Sequence, residues 1–487
     1  MSPTNQGHEE RLITRKWRWL KAFPERLKAK ACEVSANTKK IAQDDPRRVI
    51  HSAKVGLALT LVSLFYYYQP LYDNFGFSAM WAVMTVVVVF EYSVGATLGK
   101  CLNRGLATLA AGALGVGAHH LASLSGHIGE PILLGFFVFL QAVTSTFTRF
   151  FPKIKARYDY GLLIFILTFS LISVSGFRDD EIIELANKRL STIIIGGLAC
   201  VIITIFVCPV WAGEDLHNLI AVNVERLGNF LEGFGDEYFN TTADGESTDG
   251  KSCQGEYKNV LSSKNTEESL ANFARWEPRH GHFRFRHPWI QYLRIGTLTR
   301  ECAYRIDALS GYINSDVQVT LEIRSKIQDA CTKMSSECGK ALKEVASAIR
   351  TISKPSSADR HVSNSKTAAK NLESILRSGL WENAELLAVI PAATVASLLF
   401  DVVKCTEKIV DSVHELASMA HFKTVDRTVS PEKEEIPHHD IEQLKPVPKI
   451  DSPHVVITVN GSTSAAFPEN GTTPPPILLN NKQTAIM

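Results

Sequence analysis

The sequence predicts an all-α protein: a six-span helical transmembrane domain, followed by a cytosolic helical bundle and a disordered C-terminal tail. Two observations carry this prediction. Nearly all long apolar runs lie in the first half of the 487-residue chain, and helical periodicity returns in the polar second half. The predicted parts are a cytosolic N-terminal segment, the transmembrane domain, the cytosolic helical domain and the tail, at residues 1–48, 49–211, 212–422 and 423–487.

Six apolar segments follow one another in the predicted transmembrane domain. They cover residues 49–69, 77–92, 97–122, 131–148, 160–177 and 189–211. A helix needs about 20 mainly apolar residues to cross a membrane, so the second and fourth segments are short when each is taken alone. A buried soluble helix is the alternative for a short run, but six runs in succession favour a polytopic membrane domain.

The distribution of basic residues predicts the orientation. Arg47 and Arg48 precede the first span, and a basic turn, 149–157, joins the fourth span to the fifth. The turns on the opposite side are acidic or nearly neutral. Because basic loops stay in the cytosol, both termini are predicted to be cytosolic.

The polar second half shows a helical apolar stripe that begins at Leu216. Further helices are predicted near residues 288–312, 316–353, 366–379 and 382–421. Residues 240–270 are polar and rich in Gly and Ser, and are predicted to form a loop. The tail lacks an apolar stripe and is predicted to be disordered. Ser and Thr residues of the loop and tail are candidate substrates for a regulatory kinase.

Lys100 and Arg104 lie one helical turn apart within the apolar stretch 98–122, which contains no acidic residue. The i, i+4 spacing places both cations on one face of a helix. A charge at membrane depth is costly and normally faces a partner or a water-filled path. Two interpretations stay open: the side chains snorkel to the membrane surface, or they line a path for anions.

Other cations extend this pattern. Lys54 lies in the second turn of the first span, and the further candidates for an anion pore are Arg149, Lys188 and Arg189. Lys153, Lys155 and Arg157 are candidates for a cytosolic vestibule, although the ordinary basic signal of cytosolic turns also accounts for them. Carboxylates are missing from the span interiors, which argues against a proton relay or a cation path.

Other classes of function lack support in the sequence. There is no P-loop, HExxH, GxSxG or dinucleotide-binding glycine pattern, so we predict no enzyme, no cofactor and no nucleic-acid partner. The nine cysteines show no CxxC pair, which suggests reduced thiols. His119, His120 and His127 lack a further ligand at metal-binding spacing, and no metal site is predicted.

Several motifs resemble those of one known family. They are Phe150-Phe-Pro-Lys-Ile-Lys-Ala-Arg-Tyr-Asp-Tyr160, Ser175-Gly-Phe-Arg-Asp-Asp-Glu181, Pro209-Val-Trp-Ala-Gly-Glu-Asp-Leu-His217 and Trp276-Glu-Pro-Arg-His-Gly-His-Phe283. The chain resembles the plant aluminium-activated malate transporter family over residues 40–421, and looks most similar to its guard-cell branch of quick-activating (R-type) anion channels.

The resemblance implies a homodimer in the lipid bilayer, with six spans per subunit and a pore on the two-fold axis. It implies voltage-dependent, malate-responsive passage of malate, chloride, nitrate and sulfate across the plasma membrane, with a role in stomatal closure. The vacuolar membrane is the alternative location, and a coupled organic-acid exporter is the alternative function. Asp179, Asp180 and Glu181 lie where root-surface members respond to aluminium, but the guard-cell branch implies no metal site there.

Overall fold

The structure is a computed structural model that describes residues 30, 33–68, 80–175, 182–239, 255–283, 287–313, 321–378 and 386–424. All of these belong to one compact unit, Met1–Ser452. The described residues form helices, and their only β-type pairings are two isolated bridges, His280 with Phe283 and Ser353 with Lys423. The all-α prediction is therefore confirmed for this part. The predicted tail, from residue 425 on, lies outside the described residues.

Each of the six predicted spans coincides with a helix. The helices are α1 Pro46–Tyr67, α2 Met80–Val89, α3 Val94–Ser123, α4 Gly126–Thr148, α5 Pro152–Ser175 and α6 Ile182–Phe206. The sequence specifies two of the starts. The Asp45 side chain accepts a hydrogen bond from the N–H of Arg47 ahead of α1, and the Ser93 hydroxyl accepts one from Ala96 at α3.

Four described helical stretches are long and apolar enough to cross a membrane: Ile128–Thr148, Pro152–Ser175, Ala186–Phe206 and Val389–Met419. The first three lie in α4, α5 and α6. The long helix α3 is not among them: Lys100 and Arg104 lie in its first turns, and His119 and His120 lie in its last turns. The ten described residues of α2 extend only about 15 Å. Helix positions thus agree with the prediction, while the number of six spans stays a prediction.

The C-terminal half contains the remaining helices, here called the C-terminal bundle. They are α7 Ala212–Phe239, α8 Lys258–Leu261, α9 Lys264–Ala274, α10 Trp289–Ile313, α11 Leu321–Thr351, α12 Ala358–Arg377 and α13 Leu386–Met419. The predicted loop at 240–270 is wrong from residue 258 on, because α8 and α9 occupy that region. These short helices have few apolar side chains, of which Val260 and Ala271 are fully buried. Polar residues dominate the sequence around them, so no apolar stripe predicts a helix there.

The apolar stretch Val389–Met419 belongs to the bundle. Val395, Leu399 and Val402 of α13 are buried in its core. The opposite face of the helix is charged: Asp401 pairs with Arg305 at 3.5 Å, and other acidic residues of the helix also form ion pairs. A lipid-facing helix would not present such a face. The apolar residues of α13 are therefore explained by burial within the bundle rather than by contact with lipid. This agrees with the prediction of a helix at 382–421 in the polar second half of the chain.

Large exposed apolar side chains concentrate in α1 to α6. On α3, for example, Leu106, Leu109 and Leu114 are each more than half exposed. Beyond residue 210, the exposed large apolar side chains of the described part are Ile290, Tyr304, Ile390 and Met419. Soluble monomers rarely expose extended apolar surface, so the first half presents a surface suited to lipid or to another copy of the chain.

Candidate anion-binding site

Four residues from three parts of the first half converge beside α3. The Lys100 ammonium pairs with the Glu91 carboxylate and lies 5.5 Å from the centre of the Tyr160 ring. Arg104 Nη1 donates a hydrogen bond of 3.0 Å to the Tyr160 hydroxyl. We call Glu91, Lys100, Arg104 and Tyr160 the α3 cation cluster. The predicted pair of cations thus lies in one place, joined to α5 through Tyr160.

Lys100 has an acidic partner from outside the apolar stretch 98–122. Glu91, near the end of the predicted second span, lies at the turn between α2 and α3. Thr97 fixes this turn: its Oγ1 accepts from the Glu91 N–H at 3.0 Å and donates to the Glu91 carbonyl at 3.2 Å. The turn places the carboxylate beside the first helical turns of α3, where it meets Lys100.

Arg104 has a different environment. Its side chain is buried, at 6% exposure, and the Tyr160 hydroxyl is its hydrogen-bond partner in the described part of the chain. The Nε atom is buried without a hydrogen bond. A buried donor without a partner is costly, and a cation without a counter-ion is more so. Arg104 is therefore poised to bind an anion that can reach it.

Arg189 on α6 repeats this situation. It is buried, its guanidinium lies 4.3 Å from the centre of the Trp81 ring, and its Nε has no hydrogen bond within the residues described. Cys101 Sγ donates to the Gly197 carbonyl at 3.6 Å, and Val94 N–H donates to the Val210 carbonyl at 2.9 Å, so α3 and α6 run antiparallel. Counting along both helices from the Cys101–Gly197 contact places Arg189 roughly 8 Å beyond Arg104 along the axis.

Two other predicted pore cations have structural partners. Lys54 is 2% exposed, and its Nζ donates to the Cys208 carbonyl at 2.7 Å. Cys208 has a left-handed backbone with φ of 43°, just beyond the end of α6, where a cation stabilises carbonyls that the helix leaves unpaired. Arg149 Nε and Nη2 bind both oxygens of Asp159, at 2.7 and 3.2 Å. In this conformation both cations hold helix ends.

The predicted vestibule residues Lys153, Lys155 and Arg157 are exposed at the start of α5. The Arg157 guanidinium lies 5.5 Å from the centre of the Trp276 ring, in the segment that follows α9. Lys188 is half-buried on α6, one residue before Arg189. Arg157 thus lies where the first half meets the C-terminal bundle.

The start of α3 is held by this same junction. Val94 N–H donates to the Val210 carbonyl at 2.9 Å. The buried Glu277 carboxylate accepts from the N–H groups of Ala212 and Gly213, at 2.6 and 3.0 Å, and so binds the start of α7. Burial raises the pKa of Glu277, and the backbone N–H groups offset part of this shift. Sequence reasoning missed Glu277, although it stands inside one of the quoted motifs.

Two histidines beside the junction share one hydroxyl. His217 Nδ1 lies 2.9 Å and His287 Nε2 lies 3.3 Å from the oxygen of Tyr292. Burial lowers the pKa of each imidazole from 6.5 to about 4. Both rings are therefore neutral at pH 7, and one hydroxyl serves both by donating to one ring and accepting from the other.

Acidification should destabilise the protein through these histidines. Their pKa values are lower in the folded state, so the unfolded chain binds more protons below pH 6.5, and stability falls as the pH drops from 6.5 towards 4. The slope is at most about 1.4 kcal/mol per pH unit for each histidine. Thermal unfolding at pH 7, 6 and 5 measures it. His217→Gln should reduce the slope, whereas the exposed control His421→Gln should not; equal slopes would contradict the assignment.

The fold and these contacts define the class of protein: a multi-pass helical membrane protein with buried cations and a C-terminal helical bundle packed against α3. The model of the family described as "Aluminium activated malate transporter" matches residues 39–381. The chain belongs to this family, which confirms the resemblance.

Curated relatives cover most of the chain. Aluminum-activated malate transporter 2 of Arabidopsis thaliana is 61% identical over 81% of this chain and 79% of its own length. Transporter 1 of the same species is 55% identical over 88% of both chains. Transporter 1 of Triticum aestivum is 49% identical over 80% of this chain and 85% of its own. The guard-cell branch stays a prediction.

Proposed function

We propose that this protein is a passive anion channel that conducts malate and inorganic anions such as chloride, nitrate and sulfate. The observation that carries the proposal is the environment of Arg104: a buried guanidinium that donates to a tyrosine hydroxyl and forms no ion pair with a carboxylate among the described residues. The names of the relatives, which refer to malate transport, support malate as a substrate.

The chemistry of the α3 cation cluster suits a dicarboxylate. A planar guanidinium can bind one carboxylate with two parallel hydrogen bonds, and the Tyr160 hydroxyl can be displaced by it. Glu91 already shows how a carboxylate meets Lys100. This internal carboxylate competes with a permeating anion, which keeps binding weak enough for release. Arg189 offers a second cation at another depth.

Finer features of the proposal rest on the resemblance. We propose a homodimer, with six spans per subunit and both termini in the cytosol, that opens on depolarisation and in response to malate. The exposed apolar side chains of α1 to α6 are compatible with both a lipid boundary and a subunit interface. We place it in the plasma membrane of guard cells, with a role in stomatal closure and control by a regulatory kinase; the vacuolar membrane is the alternative.

Reversal potentials separate this channel from a coupled organic-acid exporter. For a channel selective for divalent malate, a tenfold malate gradient should shift the reversal potential by about 30 mV. In patch-clamp recordings of the full chain, the reversal potential should change only when the anion gradient changes. A potential that moves with a proton or sodium gradient at fixed anion concentrations would indicate coupled transport and overturn the proposal.

A further inference from the structure

Two cysteines of the C-terminal bundle face each other across α10 and α13. Arg305 of α10 pairs with Asp401 of α13 at 3.5 Å. Cys302 lies three residues before Arg305, and Cys405 lies four residues after Asp401. Because the two helices run antiparallel, these offsets bring both cysteines to the same level, about one turn away from the ion pair.

A second contact confirms this register at the far end of the helix pair. Gln291 Nε2 donates to Glu415 Oε2 at 3.0 Å, and these residues lie 14 positions before Arg305 and 14 positions after Asp401. Packed helices have axes about 8–10 Å apart, with Cα atoms about 2.3 Å from each axis. Facing Cα atoms then fall near the 4.4–6.8 Å that a disulfide spans, which places the pair within bonding reach.

The two thiols have different surroundings. Cys302 is fully buried, whereas Cys405 is partly exposed. The Cys302 thiol donates a hydrogen bond to the Cys405 sulfur, which lowers the pKa of Cys405 and raises that of Cys302; the charge of Arg305 favours the Cys405 thiolate further. Reactive cysteines are thiolates that solvent can reach, so Cys405 has the character of the attacking sulfur and Cys302 that of its partner.

We propose that Cys405 is a peroxide-sensitive thiol and Cys302 its resolving partner, so that mild oxidation links α10 to α13 by a reversible disulfide. The Cys405 thiolate attacks one oxygen of hydrogen peroxide, the O–O bond breaks, and hydroxide leaves. Cys302 then attacks the sulfenic sulfur, the S–S bond forms, and the S–O bond breaks. One of the two released hydroxides takes the Cys302 proton and the other takes the proton that Cys405 lost on ionisation, so two thiols and one peroxide give one disulfide and two waters.

Neighbouring cysteines are less suited to this chemistry. Cys338 of α11 is fully buried, and burial raises the pKa of its thiol to about 11. Cys331 is also buried, which raises its pKa to about 12. In a reducing compartment a disulfide between the proposed pair would be transient, as is typical of redox sensing. It would fix α10 against α13 and restrain the bundle while oxidised.

The test uses the purified full-length protein treated with one equivalent of hydrogen peroxide. Peptide mapping after alkylation should identify a Cys302–Cys405 disulfide that dithiothreitol removes, and oxidation should raise Tm by several degrees. In Cys302→Ser, Cys405 should instead be trapped as sulfenic acid by dimedone. The control Cys331→Ser should behave like the wild type.

Three outcomes would overturn the proposal. They are a disulfide from Cys405 to Cys338, a disulfide between the Cys405 residues of two chains, and full retention of both thiols in wild-type protein. Because Cys302→Ser preserves side-chain size, its fold can be verified by an unchanged Tm before oxidation. Because the readouts are disulfide formation and Tm rather than anion current, a failure of this proposal can be distinguished from a failure of the proposed channel function.

Discussion

Arg104→Ala is expected to reduce malate current at least tenfold while surface expression stays intact. Arg104 is buried, and its guanidinium is bonded to the Tyr160 hydroxyl in the described part of the chain. Truncation removes the fixed charge that would replace water around a carboxylate, an effect of at least about 1.4 kcal/mol. Patch-clamp recording with surface biotinylation measures current and expression together.

Three further variants make this test specific. Arg104→Lys keeps the charge but loses the planar fork, so it should retain part of the current and bind malate more weakly. Leu106→Ala, on an exposed face of the same helix, should leave the current unchanged. Glu91→Gln removes the carboxylate that competes for Lys100 and should lower the malate concentration for half-maximal current. Unchanged currents in both Arg104→Ala and Lys100→Ala would refute the site.

Apolar runs and helical periodicity placed the long helices, but they missed the short helices α8 and α9. The six apolar segments each became a helix, and the stripe from Leu216 predicted α7, whose core residues are fully buried. The proximity of Lys100 and Arg104 followed from helical spacing alone. Each of these predictions relied on residues fewer than about ten positions apart. Over that distance, the period of a helix determines which side chains share a face.

Contacts between distant segments could not be predicted in this way. Lys54 had the composition of a pore cation, but it binds the Cys208 carbonyl, 154 positions later. Tyr160 lies 56 positions after Arg104, and its hydroxyl accepts a hydrogen bond from Arg104 in the α3 cation cluster. Such contacts depend on how the helices pack against one another. A single sequence does not show which residues of two helices lie at the same level. The same limit concealed Glu277, whose backbone partners lie more than 60 positions earlier.

The glycine at the start of α3 reveals how the C-terminal bundle is attached to the helix that carries the cations. A Cβ atom at Gly95 would lie 2.3 Å from the Phe273 carbonyl oxygen and 2.9 Å from Glu277 Cγ. The first contact is with backbone, which cannot rotate away. Only glycine therefore permits this close approach between α3 and the last turn of α9.

Gly95→Ala is consequently expected to destabilise the protein by about 1–3 kcal/mol, the usual cost of overpacking, and to expose the segment 273–283 to proteolysis. Gly105→Ala on the same helix is the matched control: nothing lies within 4 Å of its Cβ position, so the gain in helix propensity should leave Tm unchanged or higher. Thermal unfolding and limited proteolysis of both variants provide the measurement. If Gly95→Ala matched the control in both assays, α3 and the bundle would not be held together by this contact.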